Sequence, residues 1–243
     1  MITDPEVFPG IVDARRPEPS MIDFDGVVFD LDGTLWDTTA ACSVGWNRVL
    51  RRHGIPFREI TPADVRSVAG KPHEACIREV FFGLPEAQLA ALIAETPTED
   101  NQMVAELGGT LFPGVRVGLQ RLSRELPLYI VSNCQDGYIE TFLRCTRLEG
   151  LFRDFECWGR TRLSKAENLS DLRDRNGLEA PLFVGDTEGD QAAAAACGVP
   201  FIHVTYGYGV CSEPDFRASS FPDLIDLIEL VCSRPGHSKA MLQ

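Results

Sequence analysis

The chain predicts an α/β fold, a doubly wound parallel sheet carrying a helical insertion, and three observations lead there. Apolar runs at Val27-Val28-Phe29, Pro127-Leu128-Tyr129-Ile130-Val131 and Pro181-Leu182-Phe183-Val184 each end in a polar cluster. Segments with helical spacing separate the runs, which argues for parallel strands covered on both faces. The polar ends then fall at the carboxyl ends of strands, where open α/β sheets do their chemistry.

The first run leads into Asp30-Leu31-Asp32-Gly33-Thr34-Leu35. Side chains two apart share one face of an extended strand only while the chain stays extended, so how Asp30 and Asp32 are used depends on the turn that Gly33 permits. Two carboxylates this close raise each other's pKa unless a cation or hydrogen-bond donors offset the repulsion. The pair therefore reads as a metal or acid/base site, although the same residues alone also make an ordinary polar turn.

Residues 38–110 then read as helices, far longer than an ordinary crossover between strands. Trp46, Val49, Leu50 and His53 fall at helical spacing before Gly54. Thr61-Pro62-Ala63-Asp64 looks like a capped helix start, Gly70-Lys71-Pro72 breaks the chain, and Pro85 opens a helix through Leu89, Leu92 and Ile93. Phe112-Pro113-Gly114 returns the chain to the sheet. The insertion reads as a small cap domain, and Gly70-Lys71-Pro72-His73 is the candidate loop that reaches the core site. Lys71 would meet a second anionic group of a ligand there; a surface loop joining two helices accounts for Lys71 and His73 as well.

Val115 to Glu125 reads as a helix. The second strand ends in Ser132-Asn133, followed by Asp136-Gly137 and a helix from Tyr138 to Cys145. A hydroxyl and free amides at a strand-to-helix turn suit a phosphate, while Ser132 and Asn133 taken alone also read as a cap and a turn. Phe155 to Trp158 reads as a short strand.

Lys71, Lys165 and Lys239 are the only lysines in an arginine-using chain. A compact ammonium suits a phosphoryl oxygen or a carboxylate where a guanidinium fork does not fit; an exposed helix position explains Lys165 equally. The third apolar run ends in Gly185-Asp186-Thr187-Glu188-Gly189-Asp190, before an alanine-rich helix that Gly198 stops. Hard oxygen ligands without a matching His or Cys set favour Mg²⁺ over zinc. Asp190 is also an ordinary first-turn acid favoured by the helix dipole. Phe201 to Thr205 reads as a strand, Tyr206-Gly207-Tyr208-Gly209 as a loop after it that either borders the site or, more simply, makes a surface turn, and Phe221 to Cys232 as a closing helix.

Together these segments resemble the haloacid dehalogenase superfamily, whose phosphatases carry an Asp-x-Asp-Gly-Thr strand, a Ser/Thr strand, a Lys and a Gly-Asp-x-x-x-Asp strand in this order. The resemblance spans Gly26 to Gly209. It implies a Rossmann-like core over 21–37 and 111–232, an α-helical cap over 38–110 that shields the site and chooses the leaving group, an extension at 1–20 and a tail at 233–243. It implies that Asp30 is the nucleophile and a metal ligand, and that Asp32 is the general acid/base with its backbone carbonyl on Mg²⁺. Asp186 would be the other carboxylate ligand, and Asp190 would sit at the edge of the metal shell or orient Lys165. Thr34, Ser132, Asn133 and Lys165 would hold the phosphoryl oxygens, and Gly70 and Lys71 would set specificity.

The implied activity is Mg²⁺-dependent hydrolysis of a small phosphomonoester through a phosphoaspartate, as in the phosphoglycolate phosphatase-like branch. A sugar phosphomutase of the same fold is the nearest rival. A dehalogenase has no use for Asp32, and a catalytically silent regulatory or binding protein would be expected to lack one of Asp30, Asp32, Lys165 or Asp186.

At 243 residues and 44% hydrophobic content, the chain can bury one large core and a smaller one. A formal charge of −13 offers nothing basic and continuous to a nucleic-acid backbone, so none is expected as a partner. No run of about 18 apolar residues suggests a membrane span, and the first twenty residues lack the apolar core of a signal peptide; Met21 is a possible second start. The eight cysteines show no Cys-x-x-Cys spacing and read as reduced, buried thiols of a cytoplasmic protein. The four histidines sit apart, with His203 expected in the core. Monomer and homodimer are both open.

Overall fold

The computed structural model describes residues 23–232; the extension at 1–20, Met21, the tail at 233–243, His237 and Lys239 lie outside the described residues. The chain runs β1 (Gly26–Phe29), β2 (Trp36–Asp37), α1 (Thr39–Arg52), α2 (Pro62–Val68), α3 (His73–Val80), α4 (Glu86–Leu107) and β3 (Thr110–Leu111). It continues through α5 (Val115–Leu122), β4 (Leu128–Ser132), α6 (Tyr138–Thr146), β5 (Phe152–Cys157), α7 (Trp158–Thr161) and α8 (Lys165–Asn176). Last come β6 (Pro181–Gly185), α9 (Glu188–Ala196), β7 (Phe201–Val204), β8 (Phe216–Ala218) and α10 (Phe221–Val231).

Among the described residues, six strands form one sheet in the order β5-β4-β1-β6-β7-β8, every neighbouring pair parallel. The chain winds from β1 out to β5, then returns to the other side of β1 and winds out to β8. This reversal leaves a crevice beyond the carboxyl ends of β1 and β6, the usual ligand position in such sheets. Register aligns the two strands there, with Phe29 opposite Val184, so Asp30 and the residues after Gly185 emerge side by side.

Strand alternation sends side chains to two cores. Val27, Phe29, Leu128, Ile130, Leu182 and Val184 pack on one face with Leu119, Phe142 and Leu224. Val28, Tyr129, Val131 and Phe183 face the other way, against Leu169, Leu172 and Ala193. Each fully buried side chain of this size stabilises the fold by roughly 1.5–3 kcal/mol before entropy is counted, which holds the strand ends rigid.

A third cluster belongs to the insertion: Trp46, Val49, Leu50, Ile77, Phe81, Leu89 and Leu92 pack among α1 to α4. The ends of α1 and α4 nearest the sheet, at Ala41, Cys42, Met103 and Val104, join the sheet-side core instead. The antiparallel pair β2–β3, with Trp36 opposite Leu111, ties the outgoing and returning chains together.

Several boundaries differ from the sequence reading. Helix α5 ends at Leu122 rather than Glu125, and β7 ends at Val204. The strand expected at Phe155–Trp158 begins at Phe152 and gives way to α7 at Trp158. Polar residues facing Arg160 and Arg175 along this edge strand hid its apolar pattern. All eight cysteines are free, and Cys145 is exposed rather than buried.

Candidate active site

Asp30 follows β1, its backbone N–H donating to Val184 O at 2.8 Å. The chain then turns through Gly33 at φ +88°, where an added Cβ would lie 2.4 Å from Asp186 Oδ2. Left-handed backbone and lack of space both demand glycine.

Lys165 is the first residue of α8, whose start is fixed by reciprocal Ser164–Glu167 capping. Its Nζ donates to Asp30 Oδ1 at 2.6 Å and Asp190 Oδ1 at 2.5 Å. Asp190 in turn caps α9: its Oδ2 accepts from the N–H and hydroxyl of Thr187 at 3.0 and 2.7 Å. It is fully buried rather than a solvated first-turn acid.

Asp186 follows β6 and is also fully buried. Its Oδ2 accepts from the N–H groups of Tyr208 and Gly209 at 2.7 and 3.3 Å. Thr34 donates its hydroxyl to Asp186 Oδ1 at 3.4 Å. The Tyr206–Gly209 segment is thus no plain surface turn: a Cβ on Gly207 would stand 2.3 Å from that of Asp186. His203 is buried in β7 as expected, its Nε2 facing Asp186 O at 3.1 Å.

Ligand oxygens of Asp30, Asp186 and Asp190 lie within 4.8 Å of one another. Burial pushes the Asp30 carboxyl well above the usual range; Lys165 opposes this, while Asp190 and Asp186 add to it. Burial and then Asp190 push Asp186 up to about 7. Lys165, whose burial works the other way, is held firmly cationic by Asp190 and Asp30. Three carboxyl groups against one ammonium leave negative charge uncompensated, and the donors are all hard oxygens. The set fits a hard divalent cation.

Asp32 stands apart from this group. Its Oδ1 accepts from Tyr138 at 2.9 Å and Thr38 at 3.2 Å, and the two hydroxyls are 2.5 Å apart. The carboxyl keeps some contact with a cavity, yet the surrounding protein desolvates it and raises its pKa to about 6, an effect that Tyr138 and Thr38 reduce.

That cavity, of about 80 Å³, lies between the sheet ends and the helical insertion. Asp30, Asp32, Ser132, Asn133 and Tyr138 border it from the sheet side; Trp46, Gly70, Lys71, His73 and Asp100 border it from the insertion. Ser132 is buried, its Oγ accepting from Cys134 N–H at 3.3 Å. Asn133 spends its amide on the insertion, donating from Nδ2 to Gly70 O at 2.8 Å. Gly70 also abuts Thr187, whose Cγ2 would be 2.9 Å from an added Cβ. Arg66–Asp37 at 3.0 Å and Asn101 Nδ2 to Asp136 O at 2.8 Å complete the closure.

Lys71 reaches the rim with its ammonium on Glu79 Oε2. His73 is not in a surface loop: it opens α3 and is buried, with Nε2 2.8 Å from Thr96 Oγ1. Desolvation lowers its pKa to about 4. Asp100, buried on α4, accepts from Trp46 Nε1 at 3.0 Å through Oδ2. Sequence reasoning missed Thr38, Tyr138 and Asp100. An acid among four acidic neighbours of a helix and a tyrosine at a helix start carry no local signal; only the folded chain singles them out.

Residues 27–204 match the model of the haloacid dehalogenase-like hydrolase family. The phosphoglycolate phosphatase of Yersinia pestis is 29% identical over 218 residues, covering 84% of this chain and 93% of its own. That of Xanthomonas campestris is 32% identical over 195 residues, covering 75% and 83%. A solved haloacid dehalogenase-like hydrolase of Bacteroides fragilis superposes with a TM-score of 0.72 at 27% identity, over 83% of this chain and 100% of that one. With a family match across most of its length and the strand-end acids and lysine meeting at one crevice, the chain belongs to the haloacid dehalogenase-like hydrolases.

Proposed function

We propose that this hydrolase is a Mg²⁺-dependent phosphatase that cleaves a small phosphomonoester through a phosphoaspartate on Asp30. The observation that carries the reading is the separation of its two motif carboxyls: Asp30 lies against Lys165 and two further acids, Asp32 against two hydroxyls. The named activity of the relatives is of this type.

Mg²⁺, held by Asp30, Asp186, the Asp32 backbone carbonyl and the nearby Asp190, would neutralise charge between nucleophile and phosphate. Lys165 orients Asp30 and shares its ammonium with a phosphoryl oxygen. Ser132 donates its hydroxyl to another, Asn133 holds the neighbouring turn against Gly70, and Thr34 acts through Asp186. An oxygen of Asp30 attacks phosphorus in line; the ester P–O bond breaks, and Asp32 gives its proton to the leaving oxygen. Asp32 then takes a proton from water as that water attacks the phosphoaspartate, releasing phosphate and restoring Asp30. Two carboxyls in different surroundings can hold the opposite protonation states that this cycle needs.

The test is phosphate release from p-nitrophenyl phosphate and a panel of phosphorylated metabolites, with and without Mg²⁺. Mg²⁺-dependent release supports the reading. Transfer within a sugar phosphate without net release indicates a mutase, and no turnover of any ester rejects the phosphatase.

A further inference from the structure

The insertion's face of the cavity has unmet hydrogen-bond acceptors. Thr96 donates its one hydroxyl proton to Leu92 O at 2.7 Å, so it can only accept from His73 Nε2. The neutral His73 ring then carries its proton on Nε2 and leaves Nδ1 as an acceptor. Nδ1 faces Asp100 Oδ2 at 3.7 Å, beyond hydrogen-bond reach. Asp100 Oδ1 has no partner, Asp100 and His73 are 2% and 7% exposed, and burial pushes the Asp100 carboxyl well above its usual range, so a donating ligand is what would favour its charged form. Buried acceptors left unpaired are costly, and a ligand that supplies donors recovers that cost.

The same face offers little to an anion. Of the residues lining the cavity, Lys71 is the only lysine or arginine, and its ammonium is on Glu79. A leaving group ending in carboxylate would approach Asp100 and Asp32 with no unpaired cation among the residues lining the cavity; Arg162, whose charge also lowers the His73 pKa, lies over the Trp158 ring outside that lining.

We propose that Asp100 and His73 Nδ1 select phosphomonoesters whose leaving group carries a hydrogen-bond donor, a hydroxyl or an ammonium, and disfavour one that ends in carboxylate. This rests on the phosphatase reading. The cavity has room for several waters, which suits a leaving group of a few heavy atoms.

The experiment compares kcat/KM, with Mg²⁺, for 2-aminoethyl phosphate, 2-hydroxyethyl phosphate, ethyl phosphate and 2-phosphoglycolate, with p-nitrophenyl phosphate as control. At least one donor-bearing ester is expected to exceed ethyl phosphate by about tenfold to a hundredfold, and the two arms tell ammonium from hydroxyl. 2-Phosphoglycolate is expected to fall below ethyl phosphate. Asp100→Asn should cut the preference of the better donor ester over 2-phosphoglycolate by about tenfold or more. If that variant does not fold, the wild-type ranking decides alone. An enzyme that cleaves p-nitrophenyl phosphate but prefers 2-phosphoglycolate to ethyl phosphate, or whose preference Asp100→Asn leaves unchanged, overturns the proposal. No cleavage of any ester removes the phosphatase reading instead.

Discussion

Asp30 and Asp32 are two residues apart, yet the turn after β1 puts them in different electrostatic surroundings. Asp30→Asn should abolish turnover, by roughly a thousandfold or more, because an amide cannot form the phosphoaspartate. Its thermal unfolding should stay cooperative; retained phosphate release would remove the nucleophile assignment. Asp32→Asn should act selectively. A leaving group such as p-nitrophenolate departs with little help from an acid, whereas an alkoxide needs a proton, so the loss should be about a hundredfold greater for ethyl phosphate than for p-nitrophenyl phosphate. Equal losses on both would place the acid elsewhere. These carboxyls were legible in the sequence because their spacing at a strand end has few other uses. Asp100 was not legible, since its meaning comes from His73, 27 positions away in sequence, and from the cavity between them.

Helix starts position much of the site. The Thr187–Asp190 cap both begins α9 and aims Asp190 at Lys165, so one substitution should disturb stability and catalysis together. Thr187→Ala should cost about 1 kcal/mol of stability and also lower kcat. Denaturant unfolding and steady-state kinetics check the pair, and a stability loss with unchanged kcat would show that Asp190 holds its place without the cap. Long periodic helices and strands ending in motifs were readable from the sequence. The two-residue strands β2 and β3 and the three-residue β8 were not, because pairing across the chain rather than local pattern forms them; the short helix α3 was not either, because it starts after Pro72 without a side-chain cap to mark it.

The whole molecule is a doubly wound sheet closed over by helices, and burial at that junction couples stability to pH. His73 titrates near its ordinary value of 6.5 when unfolded but about 4 when folded. Its contribution is therefore complete above pH 6.5 and lost as pH falls towards 4, up to about 3 kcal/mol. Raised carboxyls such as Asp186 act in the opposite sense, gaining stability at low pH, so a comparison of variants isolates the histidine. His73→Gln should lower stability at pH 7.5 yet show a shallower loss between pH 6.5 and 4; parallel curves would mean that His73 is not neutral in the fold. The parallel sheet and the meeting of motifs at its strand ends followed from the sequence, whereas the strand order and the closure through Asn133 and Gly70 required the tertiary structure.

The proposed reaction passes phosphorus through Asp30. Mass spectrometry of protein quenched in acid during turnover of a phosphomonoester with Mg²⁺ tests it most directly. A transient phosphoryl adduct is expected on Asp30 and should disappear as substrate runs out. An adduct on another residue, or undiminished turnover by Asp30→Asn, would contradict it.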